Sequence, residues 1–246
     1  MASEGVQNES LTPQSRSEVP GGRDLLPKGR LEAFADGVLA IVITILVLEL
    51  KAPGRGEGTH LAHALGQEWR VFTGYLISFV FVGGVWIAHA NATRLIQFGD
   101  QILFRLSLLQ LFFVTLLPYM TSLMTTHFGG SGERLAVPLY GLDLLLASVM
   151  LNVMIAYLGD NRHLVIDEIA DEELRDIARR RRGTLGLLAI ATVLAILLPS
   201  VAVGLYLLAT VAFVIAPLLI ARRGRAARSH RSDPRHKPGT SRPADE

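Results

Sequence analysis

The chain has 246 residues, 50% of them apolar and 19% charged, and its 24 Lys and Arg against 22 Asp and Glu leave a net charge of +2. That near balance, with no basic stripe interleaved with aromatics, argues against a nucleic-acid partner. The lack of cysteine excludes a disulfide framework, a thiolate metal site and a cysteine nucleophile.

The charges are segregated, in segments that alternate with nearly uncharged apolar runs of 19 or more residues. A soluble core has no need of such segregation. Residues 1–28 are rich in Ser, Gln, Gly and Pro without an apolar secretory region, and read as a disordered tail. From there to residue 221 (29–221) the chain reads as one transmembrane domain.

A bilayer core of roughly 30 Å needs about 20 apolar residues in a helix, because lipid offers the backbone no hydrogen-bond partner. Four runs meet this: Leu31 to Leu50 (31–50), Val71 to Ala90 (71–90), Leu106 to Met124 (106–124) and Leu135 to Leu158 (135–158). Gly183 to Ala221 is a fifth uncharged run, which as one helix would measure about 58 Å and is too long for one crossing. Pro199 and Ser200 supply a break, giving spans at 183–198 and 201–221. The expected fold is all-α, with six transmembrane helices. Residues 222–246 are basic, polar and Pro-interrupted, and read as a second disordered tail.

Basic residues give an independent test of this count. Six spans with both termini cytoplasmic place 20 of the 24 Lys and Arg inside, whereas five spans would place 12 on each side. Between the fourth and fifth spans, Leu164 to Arg182 carries acids early and Arg179 to Arg182 late, the order that complements a helix dipole. It reads as a cytoplasmic helix feeding the fifth span.

Neither a phosphate-binding Gly-rich loop, nor a zinc motif, nor an assignable Ser-His-Asp set occurs, so no catalytic residue and no enzyme activity is expected. The polar residues of the first span stand out instead. Arg30 and Asp36 bracket Phe34, followed by an aliphatic run broken only by Thr44. An ionised Asp near the start of a membrane helix is costly unless paired, water-facing or used as a cap, and a structural Arg30–Asp36 pair is one expectation. Ile41, Ile45 and Leu48, at i, i+4 and i+7, share one helical stripe, with Thr44 beside it. The Thr44 hydroxyl has the Ala40 carbonyl as a local partner to bond. Gly83 and Gly84 permit close helix contact.

Arg30, Phe34 and Asp36 together resemble the Arg-x-x-x-Phe-Ser-Asp hallmark of the prokaryotic branch of the transmembrane protein 175 channels, with Ala35 in place of the Ser. Trp86 with His89, and the Leu116 to Thr121 stretch, extend the likeness. A second match to the bare pattern, from Arg94 to Asp100, has Arg105 where the first has Ile41, and reads as chance. The resemblance implies a homotetramer whose pore is lined by the first helix, conducting potassium passively without cofactor or bound metal other than the permeating ion. It also places the hydrophobic constriction on Ile41, with Ile45 and Leu48 as further layers, offers the Thr44 oxygen a passing ion as the alternative to the Ala40 carbonyl, and makes Trp86 and His89 the braces of the Arg30/Asp36 motif. The expected setting is a prokaryotic cell membrane. The competing reading is a proton-coupled secondary transporter with Asp36, His89 and Asp143 as a relay.

Overall fold

The structure is a computed structural model that describes residues 28–52, 63, 65–66, 68–97, 99–166 and 171–231, with only the backbone described for 171–178, 180–181 and 216–231. Residues 1–27 of the expected tail and residues 232–246 lie outside the described residues, while Lys28, the last residue of that tail, opens the first helix. The chain runs as α1 (Lys28–Leu46) and a 3-10 turn (Val47–Glu49), α2 (Trp69–Arg94), α3 (Gln101–His127), α4 (Glu133–Asp160), a 3-10 turn (Arg162–Leu164), α5 (Asp171–Leu194) and α6 (Pro199–Arg231). Four helical segments, of 22 to 28 residues, are long and apolar enough to cross a membrane, and Arg182–Leu194 and Pro199–Ile215 are shorter apolar helices.

The helices form a bundle in which α3 packs on α4, α4 on α5 and α5 on α6, while α1 lies against α2 and α3 and α2 rests on α6. Close approach at the last contact depends on Gly84, where a Cβ would stand 2.5 Å from Cδ1 of Phe213 in α6. Gly83 faces open space, so of the two expected contact glycines only Gly84 is needed for packing.

Three hydroxyls buried in the bundle satisfy one another, as a low dielectric demands. Ser78 Oγ lies 2.7 Å from Thr121 Oγ1 and 2.9 Å from Tyr140 Oη, and Thr121 donates to the Leu117 carbonyl across 2.7 Å. Each hydroxyl has one proton, so the order is fixed: Tyr140 donates to Ser78, and Ser78 to Thr121. This chain ties α2, α3 and α4 together beside Pro118, the proline inside α3.

Two clasps close the ends. At one end an antiparallel bridge pairs Ile96 with Val165, with Gln97 N donating to Leu164 O at 2.8 Å and Ile166 N to Leu95 O at 3.0 Å. Lys28 Nζ donates to Ile96 O at 3.2 Å, so the start of α1 joins the same clasp. At the other end Arg70 Nη1 donates to Phe128 O across 2.9 Å, and Trp69 meets the Phe128 ring edge to face at 6.0 Å.

Several boundaries differ from expectation. The helix expected from Leu164 begins at Asp171, because Leu164 and Val165 are buried and their backbone is used in the bridge. The break before the last span is a turn at residues 195–198, and Pro199 opens α6, where its missing N–H costs nothing. Helix α6 continues to Arg231, ten residues into the stretch expected to be disordered from 222. Its Ala and Arg are good helix formers, and the next proline is Pro234.

Candidate functional site

The first helix divides cleanly into two faces. Leu31, Ala35, Leu39, Val42 and Leu46, spaced by four and three residues, are buried against α2 and α3. The opposite face carries Phe34, Ile41, Ile45 and Leu48, and Ile41 is 59% exposed, Ile45 41% and Leu48 70% in the single chain. Seven, four and three residues separate them in turn, which keeps them within one helical stripe. Leu48 stands in the 3-10 turn that follows α1, since the regular helix ends at Leu46 rather than Leu50. Thr44 lies on this exposed face, and its hydroxyl donates to the Ile41 carbonyl across 2.8 Å, not to that of Ala40.

Asp36 is the ninth residue of α1, so it is not a cap. Its Oδ1 accepts the indole N–H of Trp86 at 2.9 Å, joining α1 to α2. The expected Arg30–Asp36 pair is not formed within the chain. Six residues along a helix put the two side chains about 120° apart around the axis and about 9 Å apart along it, and no ion pair between them occurs among the described residues. Arg30 is exposed.

His89, expected beside Trp86 in the same network, is 2% exposed and places Nδ1 3.3 Å from Gln110 Oε1 on α3. It bonds α3 rather than Asp36, although Asp36 and Glu32 are close enough to act on it by charge. His89 Nε2 and Gln110 Nε2 are buried without a partner. Gln110 is a functional candidate that sequence reasoning missed. Its signal was present: it is the one amide in the apolar run Leu106 to Met124.

Asp143 is also buried, at 4% exposure on α4. It sits 17 residues before the end of α4 at the Lys28 clasp, whereas His89 sits 5 residues before the end of α2 there. At 1.5 Å per residue the two are separated by about 18 Å along the bundle. The three groups of the relay are therefore not brought together. Among the described residues no cluster of three His, Asp or Glu side chains could hold a metal ion.

Long apolar helices, polar side chains bonded across helices and a bare aliphatic face define a multi-pass α-helical membrane protein. Residues 30–118 match the profile of the family described as the endosomal/lysosomal potassium channel TMEM175. A potassium channel of Streptomyces collinus is 30% identical over 200 residues, covering 81% of this chain and 89% of that protein. The crystal structure of a lysosomal potassium-selective channel TMEM175 homolog from Chamaesiphon minutus superposes with a TM-score of 0.69 at 28% identity, covering 77% of this chain and 97% of that one. The endosomal/lysosomal proton channel TMEM175 of Gallus gallus is 26% identical over 61% of this chain, which spans 30% of that longer protein. The chain belongs to the TMEM175 family. Members of this family are ion channels, and the protein is not an enzyme.

Proposed function

We propose that this chain is one subunit of a homotetrameric potassium channel of the cell membrane, with six spans, both termini cytoplasmic, and four copies of α1 around the pore. The observation that carries the reading is the division of α1: one face is consumed by the chain's own core, and the other leaves Ile41, Ile45 and Leu48 exposed among the described residues.

The six-span topology has support from the clasps. Lys28, the 95–100 connection and the 161–166 connection meet at one end, which is also where the basic-rich loops fall. The Trp69 and Phe128 clasp marks the opposite end, where basic residues are few.

Four isoleucines converging on an axis form a dry ring. An ion passing it sheds part of its water, and potassium gives up water more readily than sodium. No carbonyl cage of the Thr-Val-Gly-Tyr-Gly type is present in the sequence, so discrimination at such a ring rests on dehydration. Thr44, its proton already bonded to Ile41 O, turns only acceptor lone pairs outward. The separation of Asp143 from His89 weighs against the proton-coupled carrier.

The deciding experiment is flux into liposomes holding the purified protein. A channel passes potassium down its own gradient at equal pH on both sides. Potassium movement only under an imposed proton gradient would establish the carrier instead, and proton current without potassium current would give the pore the ion named for the chicken relative. A reporter fused after Arg222 is expected to read cytoplasmic; an external reading overturns the six-span count.

A further inference from the structure

At the end of the bundle opposite Lys28, a cavity of about 410 Å3 opens between the start of α2, the α3–α4 turn and the start of α6. That is far more than the ~10–15 Å3 needed to admit one water. Two charged groups line it, Arg70 on α2 and Glu133 at the start of α4, and neither forms an ion pair among the described residues.

Arg70 is held in place by its bond to Phe128 O at 2.9 Å and by the rings of Trp69 and Phe128, whose centroids lie 5.9 and 5.8 Å from its guanidinium carbon. This fixes its direction and leaves further N–H groups to donate, the arrangement suited to a phosphate. Glu133, half-buried, offers an acceptor of opposite sign in the same cavity. Past Ser200 at its start, the wall contributed by α6 is apolar: Val203, largely buried, and Leu207, one turn on, form a track along the helix axis. An anion alone would meet Glu133 unfavourably, and a cation alone would meet Arg70. A soluble zwitterion would leave the apolar track unused.

We propose that this cavity holds a zwitterionic phospholipid, its phosphate on Arg70, its headgroup ammonium on Glu133 and an acyl chain along Val203 and Leu207. The proposal rests on the membrane topology above but not on potassium conduction. It is read by lipid retention, so its failure and that of the channel reading are distinguishable.

The test is native mass spectrometry of the detergent-purified assembly titrated with phosphatidylethanolamine or phosphatidylglycerol, and with phosphorylethanolamine as the soluble headgroup. Wild type is expected to retain phosphatidylethanolamine preferentially, with Arg70→Ala lowering retention about tenfold, the scale of one lost charge-assisted contact. Glu133→Gln should erase the preference over phosphatidylglycerol. Because Arg70→Ala also loosens the α3–α4 turn, Gly204→Leu provides a second variant. Gly204 lines the cavity, and a Cβ there meets nothing within 4 Å, so a side chain can leave the backbone without a clash and enter the space. It should reduce retention of both lipids with the assembly intact. Unchanged retention in Arg70→Ala and Gly204→Leu would overturn the site. Displacement of the lipid by millimolar phosphorylethanolamine would overturn the acyl track. Loss of subunits in Gly204→Leu would assign the cavity to a second copy of the chain and sink the lipid proposal.

Discussion

The indole of Trp86 and the carboxylate of Asp36 meet across 2.9 Å at the boundary between α2 and α1. Five residues separate Asp36 from Ile41, which puts them about 140° apart around α1. Anchoring Asp36 on α2, with Leu39 and Val42 in the core, therefore fixes the rotation that leaves Ile41 facing away from the chain.

The first prediction follows from that bond. Trp86→Phe removes the donor and Asp36→Ala the acceptor, and each should lower the thermal stability of the detergent-solubilised assembly. The double variant should lose little more than either single, with a coupling of about 1 kcal/mol for a half-exposed charge-assisted bond. Asp36→Asn keeps a carbonyl able to accept the indole N–H and should be milder than Asp36→Ala. Melting curves of the four proteins check this, and strictly additive losses would show that the bond does not hold α1.

A second prediction separates two adjacent glycines. Gly84→Ala drives a Cβ to 2.5 Å from the Phe213 ring and 3.0 Å from Val214, whereas Gly83→Ala meets nothing. The first should destabilise by about 1–3 kcal/mol through overpacking, and the second should be neutral or stabilising by about 0.5–1 kcal/mol through helix propensity. Thermal melts in one detergent test the pair, and equal effects would mean that α2 and α6 do not pack as described.

The helices of the bundle were legible because lipid imposes a length and an apolar composition that leave few alternatives. The four long runs fell inside α2, α3, α4 and, but for its last turn, α1. Connections were not legible in the same way. Leu164 and Val165 sit in an amphipathic-looking stretch, yet they pair with 95–97, a contact between residues roughly 70 apart that no local pattern announces. The spacing put Ile41, Ile45 and Leu48 on one stripe, but only the resemblance singled that stripe out, since almost every residue of α1 is apolar. What the spacing could not say, that Val42 is buried and Ile41 bare, depends on where α2 and α3 lie. Within the chain the Arg30–Asp36 pair does not form for a simpler reason: six residues is the wrong interval for side chains on one helix to meet.

Asp100 provides the third prediction, because the chance repeat of the Arg-x-x-x-Phe-x-Asp pattern has a local purpose of its own. Its Oδ1 accepts from Leu103 N at 2.9 Å, capping α3, and its Oδ2 accepts from Tyr157 on α4. Asp100→Ala should cost about 1–2 kcal/mol, and Asp100→Asn much less, since Asn also caps well. Tyr157→Phe should cost part of the same energy. None of the three should alter the ratio of potassium to sodium permeability. A shift in that ratio would mean that this end of the bundle communicates with the filter.

The last prediction contrasts neighbours on α1 that face opposite ways, Ile41 at 59% exposure and Val42 at 2%. Val42→Asn puts an amide among Leu39, Leu46 and the helices packed on them, where its polar groups find no designed partner. A loss of about 1–3 kcal/mol is expected, read as lower yield and melting temperature. Ile41→Asn leaves that core untouched, so the chain should fold and assemble as wild type does. In the proposed tetramer its amide would hydrate the constriction, so an ion would no longer need to shed as much water to pass. Cation flux should therefore rise while the preference for potassium over sodium falls. Permeability ratios from planar bilayers, taken on assemblies of matched oligomeric state, decide the matter. An unchanged ratio with intact assembly would remove Ile41 from the filter and transfer attention to Thr44, the hydroxyl on the same exposed face; loss of assembly in Ile41→Asn alone would instead make the stripe an interface between subunits and not a pore lining.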